Sequence, residues 1–215
     1  MREATNMIEF RPFAKIARLN RETSVTEKID GTNAIVFVSD DLATVIAGSR
    51  NRWLTPEKDN FGFAKWVSTN EKELRKLGPG HHYGEWWGPG IHRGYGVREK
   101  RFSLFNVFRW ADDALRPACC HVVPELARGL DIRAAVEAAL VELRENGSKA
   151  SPGFLRPEGV VAFHTASGQL FKVTLEGDES PKGICRFSQI AFPSRQASRS
   201  PYWQTGIPSI GCPLR

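Results

Sequence analysis

Five ionisable residues lie in or beside segments of the sequence that otherwise read as apolar strands: Lys28, Arg50, Glu85, Glu158 and Lys172. A single charged residue at a strand usually faces solvent, but two carboxylates, two lysines and an arginine on neighbouring strands could converge on one cleft. Carboxylates bind Mg²⁺ together with phosphate oxygens, and cationic side chains neutralise phosphate charge. Because one lysine could also act as a nucleophile, the set predicts nucleotidyl transfer rather than hydrolysis.

Short runs of β-branched and apolar residues indicate the strands that must position these groups. We predict strands over residues 23–28, 33–39, 43–49, 81–87, 101–108, 159–164 and 169–175. Apolar residues at helical spacing predict a helix within residues 59–77 and a second one from a cap at Asp131 to Gly147. Strands and helices do not alternate regularly, so we expect an α+β fold with mainly antiparallel sheets.

The composition limits the class of protein. A chain of 215 residues with 41% hydrophobic content can bury a full core, as one domain or as one domain with an appendage. The net charge of +6 suits a polyanionic partner, although it is mild. The first residues contain no apolar run like a signal peptide, and no segment reaches the length of a membrane span, so we expect a cytoplasmic protein that does not bind membranes. The four cysteines form no CxxC pair and are predicted to be reduced thiols.

A glycine-rich segment, GPGIHRGYG, covers residues 88–96. Its glycines do not have the spacing of a dinucleotide-binding loop or of a Walker A loop. We interpret it as a flexible loop, with phosphate contact as a minor alternative.

Six short motifs, in order, resemble those of the RNA ligase 2 family, which belongs to the lysine nucleotidyltransferases with DNA ligases and mRNA capping enzymes. The KxDG pattern alone would be a weak signal, whereas six motifs in the family's order are specific. The resemblance covers residues 15 to 175. The matching segments are KIDG at Lys28, GSR ending at Arg50, YGEWWG around Glu85, FSLFNVF around Phe105, EGVVAF at Glu158 and FKVT at Lys172.

The resemblance implies a nucleotidyltransferase (ATP-grasp-like) domain that uses ATP with Mg²⁺ or Mn²⁺. Lys28 would attack the α-phosphate of ATP and form lysyl-AMP. AMP would then pass to a 5′-phosphate end, from which a 3′-hydroxyl would displace it. Glu158 would contact the metal, and Glu85 would bond the ribose or help to hold a metal-bound water.

The remaining roles that the resemblance implies concern the nucleotide. Lys172 would share in catalysis, and Arg50 would hold the ribose or the phosphate end. Phe105 would stack on the adenine, with Trp86 as a second aromatic residue that could cover the base. Glu27, next to the nucleophile, would help to read the adenine edge.

Two positions depart from the family's pattern. Thr174 takes the place of a second lysine in the last motif, and Asn106 takes the place of an acid after Phe105. Neither change removes a group that the first step requires. DNA ligases and capping guanylyltransferases normally carry an OB-fold domain after this motif, and the roughly 40 residues that follow Lys172 are too few for one.

A third alternative is a non-catalytic nucleic-acid-binding module, against which the intact set of Lys28, Glu85, Glu158 and Lys172 argues. We therefore expect a monomeric ligase acting on nucleic acid ends, with RNA favoured.

Residues 1–176 would form the adenylyltransferase domain, and residues 177–215 a short basic tail without a domain of its own. From Arg195 onward this tail has three arginines, Tyr202, Trp203 and no acidic residue. It either lies free in solvent or contacts phosphates and bases.

Overall fold

The computed structural model describes residues 10–177, which form two sheets flanked by helices. The strands in this range are β1 (Thr23–Lys28), β2 (Thr32–Val38), β3 (Val45–Ser49), β4 (Gly80–Trp87), β5 (Arg101–Leu104), β6 (Cys120–Val122), β7 (Glu125–Gly129), β8 (Gly159–His164) and β9 (Gln169–Thr174). The helices are α1 (Phe63–Thr69), α2 (Glu71–Leu74), α3 (Val107–Trp110) and α4 (Ile132–Asn146), and a 3-10 turn covers Arg75–Leu77.

The first sheet has the strand order β7-β1-β8-β9 and is antiparallel throughout. Helix α4 covers one of its faces, where Val25 and Val160 pack against Leu140 and Leu143. The helix begins where the Asp131 carboxylate accepts hydrogen bonds from two backbone N–H groups of the first turn. Side chains alternate along each strand, so Lys28 lies on the face opposite α4, where only the short helix α3 approaches, through the contact of Phe108 with Phe163.

The second sheet has the order β3-β2-β4-β5-β6 and is antiparallel except for the pair β5 and β6. Helices α1 and α2 cover one face, where Phe63 and Leu74 pack in one core with Trp86 and Phe102. A smaller cluster joins the end of β1 to the second sheet through Ile29, Trp87, Tyr95, Val107 and Val123. The α+β fold with antiparallel-rich sheets is therefore confirmed.

Three local predictions need correction. The helical segment 59–77 is broken at Asn70, whose side chain donates to the carbonyl of Trp66 and ends α1. The predicted strand 101–108 stops at Leu104, because the Asn106 side chain accepts from the Arg109 N–H and starts α3. The strands β6 and β7 were not predicted, since they are short and their residues show no alternation of apolar and polar side chains.

No helix within residues 10–177 is both long and apolar enough to cross a membrane. Cys119 and Cys120 are free thiols, as predicted. The basic tail, with Tyr202, Trp203, Cys185 and Cys212, lies outside the described residues, so the expected domain boundary near residue 177 stays a prediction.

Candidate active site

Lys28 lies at the end of β1, on the face of the first sheet that α4 leaves open. The strand register places Lys28 opposite Gly159 of β8, which in turn lies opposite Thr174 of β9. The Lys28 ammonium donates to the Glu158 carboxylate over an Nζ–Oε2 distance of 2.5 Å. The side chains are 24% and 12% exposed, so this ion pair is largely withdrawn from water but still reachable from the cleft.

The turn that follows Lys28 is pressed against β4. The Gly31 N–H donates to Glu85 Oε1 at 3.1 Å. A Cβ atom at Gly31 would lie 2.6 Å from the carbonyl oxygen of Trp86, which is too close for any side chain. The glycine of the KIDG motif is thus required by this contact, and the contact brings Glu85 to the Lys28 turn.

The residue Glu85 is buried, with 8% of its surface exposed. Burial raises its pKa to about 7, while the positive charge of Lys28 and the hydrogen bond from Gly31 act in the opposite direction. The nearby charges of Glu158 and Asp30 raise the pKa further. Glu85 is therefore poised between its neutral and ionised forms near pH 7, and a bound cation would favour the ionised form.

Glu27 points away from this cleft. It neighbours Lys28 on β1, so its side chain lies on the opposite face, where it is 1% exposed. Its carboxylate accepts from the Ser148 hydroxyl at 2.6 Å and from the N–H groups of Lys149 and Ala150, each at 2.9 Å. Burial raises the pKa of Glu27, although these hydrogen bonds lower it. The predicted contact of Glu27 with the adenine edge does not fit this geometry, because both carboxylate oxygens hold the 148–150 loop.

The glycine-rich segment 88–96 is packed rather than open, which differs from the interpretation as a flexible loop. Ile91 and Tyr95 are fully buried, and the Tyr95 hydroxyl accepts from the Asp30 N–H at 2.9 Å. The Arg93 guanidinium bonds Asp30 at 3.0 Å and also donates to the carbonyls of Arg156 and Pro157. Arg93 thus ties the turn after Lys28 to the chain just before Glu158.

Sequence patterns could not have identified Arg93, Tyr95 or Ser148 as parts of the site. Their motifs match no recognised site, and their partners are distant in the sequence. Arg93 and Asp30 are 63 residues apart, and Ser148 and Glu27 are 121 residues apart. The only available signal was the unusual concentration of glycines on both sides of Arg93.

Glu158 precedes a second close backbone contact. A Cβ atom at Gly159 would lie 2.2 Å from the carbonyl oxygen of Val173 on β9. This approach keeps β8 and β9 tightly paired at the point where Lys28, Gly159 and Thr174 stand in one cross-strand row. The side chain of Glu158 is consequently fixed beside Lys28 by the sheet itself.

The other predicted residues surround the Lys28–Glu158 pair at more exposed positions. Lys172 lies opposite Val161, which lies opposite Thr26, so Lys172 shares the open face with Lys28. Arg50 follows β3, and Phe105 follows β5 with 41% of its side chain exposed. Within residues 10–177, the side chains of Arg50 and Lys172 make no hydrogen bond or ion pair. Trp86 is 2% exposed in the core under α1, so it is not available to cover a base.

The carboxylates of Glu158 and Glu85 fit a metal ion that is also bound by phosphate oxygens, rather than one bound by protein side chains alone. No group of three His, Cys, Asp or Glu side chains within the described range could enclose an ion. Glu158 and Glu85 both act on the same lysine, and Mg²⁺ commonly binds through one or two carboxylates plus phosphate oxygens. Glu85, with a carboxyl group held partly neutral by burial, is suited to gain a cationic partner.

The model of a family described as RNA ligase matches residues 21–174, a range that contains all the residues of the candidate active site. No curated protein matches the chain.

Several solved structures of Naegleria gruberi RNA ligase are similar to the chain. A mutant with ATP and Mn has a TM-score of 0.52 and 20% identity, and the match covers 72% of this chain and 49% of that one. A mutant with AMP and Mn has a TM-score of 0.53 and 19% identity, covering 73% and 50%. At these identities the likeness shows a shared fold, and this chain spans about half the length of those ligase chains.

Proposed function

The chain belongs to the RNA ligase family, and from that premise we propose that it is an ATP-dependent RNA ligase that works through a lysyl-AMP intermediate. The observation that carries the proposal is the Lys28–Glu158 pair, held at 2.5 Å on the open face of the first sheet. The turn on one side of the pair is fixed by Glu85, Tyr95 and Arg93. A lysine restrained in this way has already lost much of its conformational entropy. Less entropy is therefore lost when it attacks a bound phosphate, which lowers the barrier.

In the first step, the Lys28 nitrogen forms a bond to the α-phosphorus of ATP. The bond from that phosphorus to the bridging oxygen of pyrophosphate breaks, and pyrophosphate leaves. The Lys28 ammonium loses two protons in this step: one to expose the lone pair that attacks, for which the carboxylate of Glu158 is the nearest acceptor, and a second to solvent as the N–P bond forms. Lys172, on the same face, supplies positive charge for the phosphates.

The nucleotide would be held from several sides. Phe105 offers a half-exposed ring for the adenine, and at the end of β3 Arg50 offers an exposed guanidinium that is not engaged by any residue of the described range 10–177. Glu158 and Glu85 are the carboxylates that would hold a divalent cation, which would neutralise phosphate charge. The ATP, AMP and Mn of the Naegleria gruberi ligase structures support ATP and a divalent cation as the partners of this site.

Two further phosphoryl transfers would complete the sealing reaction. An oxygen of a 5′-phosphate end bonds to the phosphorus of AMP while the bond to the Lys28 nitrogen breaks. A 3′-hydroxyl oxygen then bonds to the phosphorus of that 5′-phosphate, its proton is lost, and AMP leaves. Both steps depend on positioning and on neutralised charge, which the same cleft provides.

Covalent labelling tests this proposal directly. The full chain is incubated with Mg²⁺ or Mn²⁺ and ATP labelled in the α-phosphate, and the denatured protein is assayed for bound label. We expect labelling of the wild type, none for Lys28→Ala, and full labelling for Lys65→Ala, which removes an exposed lysine of α1. Labelling of Lys28→Ala at the wild-type level would show that another residue is the nucleophile.

The same assay separates the alternatives that the sequence left open. Labelling by GTP instead of ATP would indicate capping chemistry. Sealing of matched RNA and DNA ends by the labelled protein would then show which polymer it joins, and we expect RNA ends to be sealed faster. Labelling without any sealing of either polymer would contradict the ligase activity while leaving the lysine chemistry intact.

A further inference from the structure

A row of aromatic side chains runs along the second sheet, on the same face as Glu85. Tyr83 and His81 lie two and four residues before Glu85 in β4, so all three point to one side. The register places Phe37 opposite His81. Trp53 packs over Gly48 of β3 and lies beside these rings. The aromatic row consists of Tyr83, His81, Phe37 and Trp53.

The rings of the aromatic row form a continuous surface. The ring centroids of His81 and Tyr83 are 6.2 Å apart with planes inclined by only 16°. Those of Phe37 and His81 are 4.8 Å apart, and those of Phe37 and Trp53 are 6.0 Å apart. Trp53 is 50% exposed and Tyr83 is 55% exposed. An exposed apolar patch of this kind marks a binding surface.

The position of the aromatic row connects it to the candidate active site. The Phe105 N–H donates to the carbonyl of Tyr83 at 3.0 Å, so the residue proposed to stack on adenine stands beside the first member of the row. From there the row leads away from Lys28 across open sheet surface. A chain whose end reaches Lys28 could therefore continue along these rings.

The charges around the aromatic row favour a polyanion that carries flat rings. The loop of residues 50–58, which contains Trp53, has Arg50, Arg52 and Lys58 against the single acid Glu57. The guanidinium of Arg52 donates to the backbone carbonyls of Lys58 and Asp59, so its charge is not neutralised by a carboxylate. Aromatic side chains beside a basic groove are how proteins bind single-stranded nucleic acid, because bases stack on the rings while cations contact phosphates.

We propose that the aromatic row binds unpaired bases of the RNA strand whose end enters the active site. The inference rests on the proposed ligase function and specifies its substrate as an end with a single-stranded stretch of about two or three bases, given the number of exposed rings. The stretch is bounded at the far end of β2 by the acidic turn at Asp40 and Asp41, which would repel phosphates.

RNA binding without ATP tests this proposal independently of the lysine chemistry. The full chain is titrated against three fluorescent probes: a single-stranded RNA hexamer, an abasic hexamer with the same phosphates, and a blunt RNA duplex. We expect the RNA hexamer to bind at least about fivefold more tightly than the abasic chain, since stacking on aromatic rings requires bases. Equal affinity for the hexamer and the abasic chain would overturn the proposal, even if Lys28 is labelled by ATP.

Variants of single rings locate the binding. Tyr83→Leu and Trp53→Leu should each reduce hexamer affinity about fivefold and leave abasic affinity unchanged, whereas Tyr83→Phe should keep the wild-type value. Phe61→Leu is the matched control, because Phe61 is 47% exposed but lies in the turn before α1, on the other side of the sheet. Circular dichroism and thermal unfolding verify folding.

Two outcomes of the variant series would overturn the proposal. One is an equal loss of affinity for Phe61→Leu and Tyr83→Leu, which would show that the effect is not confined to the row. The other is a dimer in sedimentation that Tyr83→Leu dissociates without any base-dependent binding, which would make the row a contact between two copies of the chain.

Discussion

The inner and outer halves of the cleft are built differently. In the inner half, the Lys28 amine, the Asp30 and Gly31 N–H groups and the Glu85 and Glu158 carboxylates all take part in defined polar contacts. In the outer half, the side chains of Lys172 and Arg50 make no hydrogen bond or ion pair within residues 10–177, and the Phe105 ring stacks on no other ring in that range. The side chains of the inner half are thus fixed by polar contacts within the protein, whereas those of the outer half are not.

The difference indicates a division of labour. Catalytic groups must be held in place before the reaction, because reorganisation at the moment of transfer raises the barrier. Groups that only bind the nucleotide or the RNA can stay exposed and become ordered when the ligand arrives. We therefore expect substitutions in the inner half to reduce the rate of adenylylation and those in the outer half to weaken binding.

Loss of the Glu158 carboxylate should give the largest effect. Glu158→Ala leaves the Lys28 ammonium without its 2.5 Å partner and removes a carboxylate for the metal. We expect adenylylation to slow by on the order of 1,000-fold, since neutralisation of phosphate charge contributes several kcal/mol. Rates of labelling with and without EDTA measure it, with Glu137→Ala on the exposed side of α4 as the control. Full activity of Glu158→Ala in excess EDTA would contradict the metal role.

The burial of the Glu85 carboxyl group in the inner half should make the free energy of unfolding depend on pH. The pKa of Glu85 is about 7 in the folded protein against 4.5 in the unfolded chain. The folded protein binds this proton more tightly, so the free energy of unfolding should fall as pH rises from about 4.5 to 7. The fall due to Glu85 should be about 3 kcal/mol.

Glu85→Gln isolates this contribution, because glutamine still accepts from Gly31 but has no proton to lose. Urea unfolding of both proteins at pH 5 and pH 8 should show a smaller fall for the variant. Burial also raises the pKa of Glu27. Its contribution to the pH dependence is the same in both proteins, so it cancels when the two profiles are subtracted. Identical pH profiles for wild type and Glu85→Gln would mean that water reaches this carboxyl group.

Arg93 tests whether the hydrogen bonds around the turn matter for catalysis. Arg93→Ala removes the guanidinium that donates both to the Asp30 carboxylate and to the carbonyls of the two residues before Glu158, which should let the two segments shift. We expect the maximal rate of adenylylation to fall up to about 100-fold, with little change in the KM for ATP, since displacement of reacting groups affects the rate. Arg98→Ala, another arginine near the same loop, is the control. A change in KM alone would instead place Arg93 among the ATP-binding groups.

Substitutions in the outer half should have the smallest effect. They should change the KM for ATP rather than the maximal rate of adenylylation. Phe105→Ala should raise the KM for ATP about tenfold while the maximal rate stays nearly constant, because stacking on a base contributes about 1–3 kcal/mol. Phe105→Tyr should retain the wild-type KM, and Phe61→Ala serves as the exposed aromatic control. If Phe105→Ala lowered the maximal rate as strongly as Arg93→Ala, the two halves would not differ in the way proposed.

The sequence by itself determined the local features of this protein. Alternation of side chains predicted most strands of both sheets, and the capping residue Asp131 predicted the start of α4. The motif residues Lys28, Glu85 and Glu158 could be proposed as site residues because each lies in a short segment whose pattern is readable without its partners, and the structure brings them to one turn. The irregular order of strands and helices predicted the α+β fold with mainly antiparallel sheets, which the structure confirms.

Only the tertiary structure decided which way the motif residues face and what they contact. Glu27 and Lys28 are neighbours in the chain, yet the pleat of β1 turns one into the 148–150 loop and the other into the cleft. The role of Arg93, the raised pKa of Glu85 and the aromatic row likewise depend on contacts between distant segments. Such contacts follow from sheet register and burial, which are properties of the whole fold, so a local pattern of residues does not contain them.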